Sequence, residues 1–371
     1  MSRPNYPPES YQRLYNPAVG ALWTAAAGLP PDEDGDHYSP EPNFFEWWYF
    51  DAAFDNGYKL VAIIHSSLFN AADHKPTLDL RVYSPRGERV LAIRRFNRDE
   101  FGSRRDRCDL QLGDCRATTD GNTYHLLLRE GDIEADLRFT PQLPAWRPGA
   151  GYLFFDASSG QYFKWVVPLP AATVSGALKV QGASFAVQGA GYHDHNWGNL
   201  YLPAAFSRWT WGRMLTKNGT IIFGDVVGRG TISHVTPFML ARNNEIVLET
   251  ERIAIQREKL TQEPRTGVKY HRRLHLNTLE GCSLELTLTA GRLIEALDFA
   301  APHLPLAGHR SLRGAAELAF YLSQPVPLAG PLVARMLGKG SYLRLEGDYH
   351  LRLPEHNIKE TGQALYEVMV F

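Results

Sequence analysis

Phe44-Phe45-Glu46-Trp47-Trp48-Tyr49-Phe50-Asp51, then the turn Asp55-Asn56-Gly57, then Leu60-Val61-Ala62-Ile63-Ile64-His65, sets the texture of this chain. Aromatic and β-branched residues in short runs, broken by Gly, Asn, Asp and Pro, mark strands and tight turns. The pattern continues at 78–83, 89–95, 123–128, 133–139, 163–167 and 183–187, with turn signals at Pro85-Arg86-Gly87 and Asp120-Gly121-Asn122. It returns after Trp211 at 220–227, 236–241, 245–255, 272–277, 283–289 and 341–351. Strands at this spacing, with no helical pattern between them, predict an all-β chain of antiparallel barrels or barrel-like sandwiches. Hairpins suffice to pair sequential strands.

With 371 residues there is chain enough for two such domains. Eight of the 24 prolines fall in the first 42 residues. Proline removes donors and fixes φ, so 1–42 reads as an irregular arm with one short helix near 21–27, packed down by Tyr11, Leu14, Tyr15 and Trp23. The first barrel domain is then 43–210 and the second 211–371. Short helices are expected near 315–338, around Pro325 and Pro327, as a loop on a barrel mouth or as a lid or membrane-surface element.

Several function classes drop out. Lys+Arg number 39 against 40 Asp+Glu, a net charge of -1, which argues against a nucleic-acid partner. No apolar run is long enough for a membrane span, and the N-terminus lacks a secretory signal, so the expected location is cytoplasmic, with room for peripheral membrane contact. Cys108, Cys115 and Cys282 form no disulfide framework and read as reduced thiols. Neither a Gly-rich phosphate loop nor a Gly-x-Ser-x-Gly elbow occurs, so a nucleotide cofactor and a serine nucleophile are not expected. Oligomeric state is not legible.

Four constellations carry chemical groups. On a strand Glu46 shares a face with Phe44, Trp48 and Phe50, while Trp47 and Tyr49 lie opposite. A carboxyl among aromatics either has a raised pKa and acts as a general acid, or pairs with an arginine in the core. In Gly189-Ala190-Gly191-Tyr192-His193-Asp194-His195-Asn196-Trp197-Gly198, an extended chain puts His193, His195 and Trp197 on one face. Two histidines at i and i+2 can chelate a metal, but no third ligand follows; acid–base work, or a Gly-flanked turn, are the other readings. Trp209, Trp211 and Arg213 alternate onto one face, either as an aromatic wall for an extended apolar ligand or as barrel packing. Asp225 shares a strand face with Ile221, Phe223 and Val227, where it needs a partner or a proton. His65 is a lone histidine on a strand, a core residue or a ligand contact.

Phe45-Glu46-Trp47-Trp48-Tyr49-Phe50-Asp51, Gly191-Tyr192-His193-Asp194-His195-Asn196-Trp197-Gly198 and Trp209-Thr210-Trp211-Gly212-Arg213, in that order, resemble the lipocalin-like superfamily of carotenoid 1,2-hydratase (hydroxyneurosporene synthase), AttH-like proteins and fungal Diels–Alderases. The likeness implies two lipocalin-like β-barrels, an apolar ligand site in or between them, and no metal or organic cofactor. It implies protonation of an isoprenoid C=C bond with addition of water, or cyclisation, or the folding of a polyene for a pericyclic step. By motif, His195 and Trp197 fall on a hydratase His-x-Trp pair and Asp225 on the aspartate taken as proton donor. Phe223 stands where hydratases carry tyrosine, which bears against the water-adding half of hydration.

The expected enzyme is a cofactor-independent hydratase or cyclase for a large apolar isoprenoid. Asp225, kept partly protonated by its apolar strand, is the donor, with His195, His193, Asn196 and Glu46 as further catalytic residues. Trp47, Trp48, Tyr49, Trp197, Trp209, Trp211, Arg213, Phe223 and His65 would line one substrate pocket. A pericyclase and a non-catalytic lipocalin-like carrier are the alternatives.

Overall fold

The computed structural model describes residues 29–69, 73–230, 232, 234–264, 266–298 and 341–371. The helix read near 21–27, the burial of Tyr11, Leu14, Tyr15 and Trp23, and the helices read near 315–338 lie outside these residues. Among the described residues the protein is all-β, in two antiparallel sheets that fall in separate compact units dividing between Leu200 and Tyr201. That division precedes the boundary read at 211, because Phe206–Thr216 is one continuous strand.

The first sheet contains β1 (Phe45–Phe54), β2 (Lys59–Ser67), β3 (Thr77–Tyr83), β4 (Arg89–Arg95), β5 (Phe101–Ser103), β6 (Asp109–Leu112), β7 (Cys115–Thr119), β8 (Tyr124–Glu130), β9 (Ile133–Pro141), β10 (Tyr152–Asp156), β11 (Gln161–Val180) and β12 (Ala183–Gly198). Its order is β4-β3-β2-β1-β12-β11-β9-β8-β7-β6-β5, with β10 on β11. The second contains β13 (Phe206–Thr216), β14 (Gly219–Gly228), β15 (Phe238–Arg242), β16 (Glu245–Thr250), β17 (Ile253–Gln262), β18 (Lys269–Thr278), β19 (Glu285–Asp298), β20 (Ser341–Leu353) and β21 (Ile358–Val370). Its order is β16-β15-β14-β13-β21-β20-β19-β18-β17. Both halves follow one plan, a meander whose first strand pairs with its last: β1 with β12, and β13 with β21.

Alternation builds each core. Ile133, Ala135, Leu137 and Phe139 of β9 point inward while their neighbours are exposed, and Trp48, Phe50, Ala52 and Phe54 of β1 join the same cluster. The run read as one strand at 245–255 is two strands, β16 and β17, broken at Glu251-Arg252. β11 is far longer than the 163–167 read from sequence. Its Pro168 and Pro170 sit between register shifts, where the ladder does not need their missing donors. The Gly189–Gly198 run is extended rather than a turn. A Cβ at Gly191 would lie 2.5 Å from both Phe139 Cε1 and Val174 Cγ2.

In the second unit Phe223 packs in a core with Met214, Ile221 and Phe238, its ring covering Gly212. A Cβ on Gly212 would lie 2.2 Å from Phe223 Cε1. Gly212→Ala is therefore expected to lower stability by about 1–3 kcal/mol through overpacking. Phe223→Leu in the same chain should recover part of it in thermal melts; an unchanged midpoint in Gly212→Ala would contradict this packing.

Candidate functional site

The site of the first unit begins in the proline-rich segment. After Pro30 and Pro31 the chain makes a short 3-10 turn, Pro31–Asp34, and then passes through a second turn, closed by the Phe44 N–H on the Glu41 carbonyl, into β1. Glu33 anchors it: its carboxylate accepts from Lys164 Nζ at 2.9 Å and Arg147 Nη1 at 2.7 Å. Trp48 Nε1–H donates to the Asp34 carbonyl at 3.1 Å, and Tyr124 Oη–H to the Asp34 carboxylate at 2.6 Å.

Against this segment, inward-facing residues of β1 and β12 form a ladder of rings. Phe50 stacks on His193 at 3.9 Å, Trp48 on His195 at 4.3 Å, and Trp197 on His37 at 4.0 Å. The Cα register explains the first two, since Phe50 is opposite His193 and Trp48 opposite His195. A carbonyl can only accept, so the Nδ1 atoms of His193 and His195, each 3.0 Å from the carbonyls of Tyr49 and Glu33 respectively, carry hydrogens. Their Nε2 atoms then face carboxyls: Asp34 Oδ1 at 3.0 Å for His193, and Glu46 Oε1 at 3.2 Å for His195.

Glu46 is fully buried. It accepts from the His37 backbone N–H at 2.7 Å and from Ser66 Oγ, and the buried Asp36 carboxyl is its neighbour. Burial, and then the neighbouring Asp36, push the Glu46 carboxyl well above the usual range. Burial pushes His195 well down, so its ring is neutral. Asp36 is held in turn by Ser103 Oγ at 2.6 Å and the Tyr38 N–H at 2.9 Å. The arrangement is a buried carboxyl pushed toward its protonated form, beside a histidine ring and enclosed by aromatic rings.

The outer faces of the same strands carry a separate network. Asp194 accepts from Tyr192 Oη at 2.8 Å, Trp165 Nε1 at 3.2 Å and Asn196 Nδ2 at 2.9 Å, and Tyr49 Oη donates to Asp51 at 3.1 Å. Trp47 packs there among Phe45, His65, Phe69 and Phe163. Asn196, Tyr49, Trp47 and His65 thus do not share a face with Glu46, His195 and Trp197, which corrects the expectation of a single pocket lined by them all. Trp209, Trp211, Arg213, Phe223 and Asp225 belong to the second unit. There Trp209 packs edge-on against Phe371 at 4.8 Å.

Asp225 requires a correction of direction. It is buried, but its carboxylate is paired with Arg257 and His234. Those partners overcome the burial that raises it and hold the group below the usual carboxylate range. An ionised, paired aspartate cannot be the waiting proton donor expected on an apolar strand. Sequence reasoning missed Glu33, Asp34, Asp36 and His37, although Asp32-Glu33-Asp34-Gly35-Asp36-His37 immediately before a strand was a visible signal.

His193 and His195 do not converge on one metal position, because their Nε2 atoms face different carboxyls. Asp34, Cys108 and His193 do have donor atoms within 4.8 Å of one another. Burial, with the Asp34 charge, pushes the Cys108 thiol well up, which disfavours the thiolate a metal ion would require.

The profile of the AttH-like family matches residues 31–295, a span that includes both the acidic segment and the ring ladder. The chain belongs to the AttH-like family. A curated relative, described as hydroxyneurosporene dehydrogenase of Chlorobaculum tepidum, is 27% identical over 232 residues. That match covers 52% of this chain and 59% of the relative, less than two thirds of its length. Among solved structures, an AttH protein of Nitrosomonas europaea superposes with a TM-score of 0.60 at 16% identity, covering 93% of this chain and 98% of that one. CghA with Sch210972 gives 0.63 at 13%, covering 94% of each. Kievitone hydratase from Nectria haematococca gives 0.56 at 14%, covering 93% of this chain and 94% of that one. These likenesses establish the lipocalin-like fold. Among the described residues no helix is long and apolar enough to cross a membrane.

His65 supplies a test of the outer face. Burial, then Arg81, lowers its pKa to about 3 from an ordinary 6.5. The native ring stays neutral where the unfolded chain takes up a proton. Stability therefore falls as pH drops from about 6.5 toward 3, by roughly 1.4 kcal/mol per pH unit from this group. His65→Leu should flatten that slope in urea titrations between pH 7 and 4; an unchanged slope would contradict a buried neutral His65.

Proposed function

We propose that this protein is a hydratase- or cyclase-type enzyme in which Glu46 is the acid that protonates a C=C bond of a large, mainly apolar isoprenoid. One observation carries the proposal: a wholly buried carboxyl, with a second buried carboxyl as its neighbour, 3.2 Å from a histidine Nε2. A raised carboxyl pKa brings the acid close to working pH, where general acid catalysis is most effective. The names of the family's relatives, hydroxyneurosporene dehydrogenase and kievitone hydratase among them, support unsaturated apolar substrates.

Proton delivery uses this chain's own residues. Glu46 gives its proton to the alkene, and the resulting cation lies against the electron-rich faces of Trp48 and Trp197. The His37 N–H and Ser66 Oγ donate to the carboxylate left behind, and His195, pinned through Nδ1, keeps its Nε2 toward Glu46. The substrate approaches from the side of His37, which is half-buried where Glu46 and His195 are wholly enclosed. Acid and hydrogen-bonding groups are all side chains or backbone, so the step itself needs no metal or organic cofactor.

Incubation with acyclic carotenes and prenylated compounds in D₂O tests the assignment. Wild type should place deuterium on product carbon, and Glu46→Gln should lower that rate by about 10²–10⁴-fold while staying folded. Asp225→Asn should act differently. It leaves Arg257 without its buried partner, so stability should fall by about 3–5 kcal/mol, while folded enzyme still incorporates deuterium. Undiminished incorporation by Glu46→Gln would overturn the role of Glu46.

A further inference from the structure

Two donors reach the Glu46 carboxyl from outside its own strand: the backbone N–H of His37 and the hydroxyl of Ser66 on β2. Ser66 is the extra residue of a bulge. Glu46 is opposite Ser67 and Trp47 opposite His65, and the β2–β3 ladder ends at His65. A bulged residue is left out of the ladder, so its backbone needs another partner. For the Ser66 carbonyl that partner is Arg98, whose Nη1–H donates to it at 2.6 Å.

Arg98 also bears on the other donor. Its guanidinium lies over the Tyr38 ring, 3.4 Å from the centroid, and Tyr38 directly follows His37. The Tyr38 backbone is held on both sides: its N–H donates to Asp36 Oδ1 at 2.9 Å, and its carbonyl accepts from Arg105 Nη2 at 3.1 Å. Arg98 itself opens the 3-10 turn Arg98–Glu100 between β4 and β5. There the Asn97 N–H donates to Glu100 Oε2 at 2.8 Å, and the Glu100 N–H to the Asn97 carbonyl at 3.0 Å. A carbonyl and a ring face together suit the planar fork of a guanidinium. An ammonium, a point charge on a flexible stem, does not reproduce the pair of contacts.

We infer that Arg98 is a positioning residue for the acid: by bonding the Ser66 carbonyl and stacking on Tyr38 it fixes the β2 bulge and the segment before β1 against each other, and so sets the hydrogen bonds that Glu46 accepts. The inference deepens the acid-catalysed function and rests on it for the chemistry. Arg98 acts through Ser66 and Tyr38, and its loss loosens the donors without removing the acid.

The test reads the carboxyl itself and does not depend on turnover. Infrared spectra of the full chain, each protein subtracted from its own Glu46→Gln form at pH 7, isolate the bands of Glu46. A C=O group stretches at higher frequency when a hydrogen bond to it weakens. Arg98→Lys keeps the charge and loses the fork, so its Glu46 band should move to higher frequency than in wild type. Ser66→Ala should move the band the same way, and the two changes together should move it by less than the sum. Tyr38→Leu, which removes the ring under Arg98, should move it likewise, whereas Tyr38→Phe should leave it in place. Gly212→Ala, destabilised in the other unit, should also leave it in place, which separates positioning from lost stability. If the wild-type bands are those of a carboxylate, the acid assignment of Glu46 fails, and the same comparison across variants is made on those bands. A Glu46 band unmoved by Arg98→Lys, one moved as far by Gly212→Ala, or shifts of Arg98→Lys and Ser66→Ala that add in full would each overturn the inference.

Discussion

Two buried carboxyls, Glu46 on β1 and Asp36 in the segment before it, are neighbours inside the first unit. Burial and the like charge of Asp36 both disfavour an ionised Glu46, and the surrounding architecture keeps the two groups together. Glu46 is sealed from water, and the residues beside it include a neutral imidazole, a serine hydroxyl and a backbone N–H. A full charge at Glu46 would have to be solvated by those dipoles alone, which is why its carboxyl is displaced upward. The ring ladder depends on the same arrangement. Glu33, clamped by Lys164 and Arg147, offers its carbonyl to His195 Nδ1 and so orients that ring.

The two halves repeat a strand plan but handle a buried acid in opposite ways. In the first, Glu46 sits beside another carboxyl and is pushed toward its protonated form. In the second, Asp225 sits with Arg257 and His234 and is held ionised. Burial raises the pKa in both cases; the charge of the nearest partner decides the outcome.

Much of the strand pattern was legible because alternation and turn residues are local signals. The faces of β1 and β12 followed from period two alone, Glu46 with Trp48 and His193 with His195 and Trp197, but only the register of the β1–β12 pair brings the two faces together. Pro168 and Pro170 concealed the length of β11, since a proline reads as a strand end unless a bulge absorbs it. The prolines before Asp32 likewise disguised the segment that brings Asp34, Asp36 and His37 to the site. Asp225 was misread for a different reason. Its partners lie on a following loop and on β17, and no feature of the 221–227 run announces them.

The most direct test of a neutral Glu46 is infrared difference spectroscopy of wild type against Glu46→Gln at pH 7. A protonated carboxyl has a C=O stretch well separated from the carboxylate bands. One such band, present in wild type, shifted in D₂O and missing from Glu46→Gln, is the expected result. Carboxylate bands in its place at that pH would contradict a proton-bearing Glu46, and with it the acid chemistry assigned to this site.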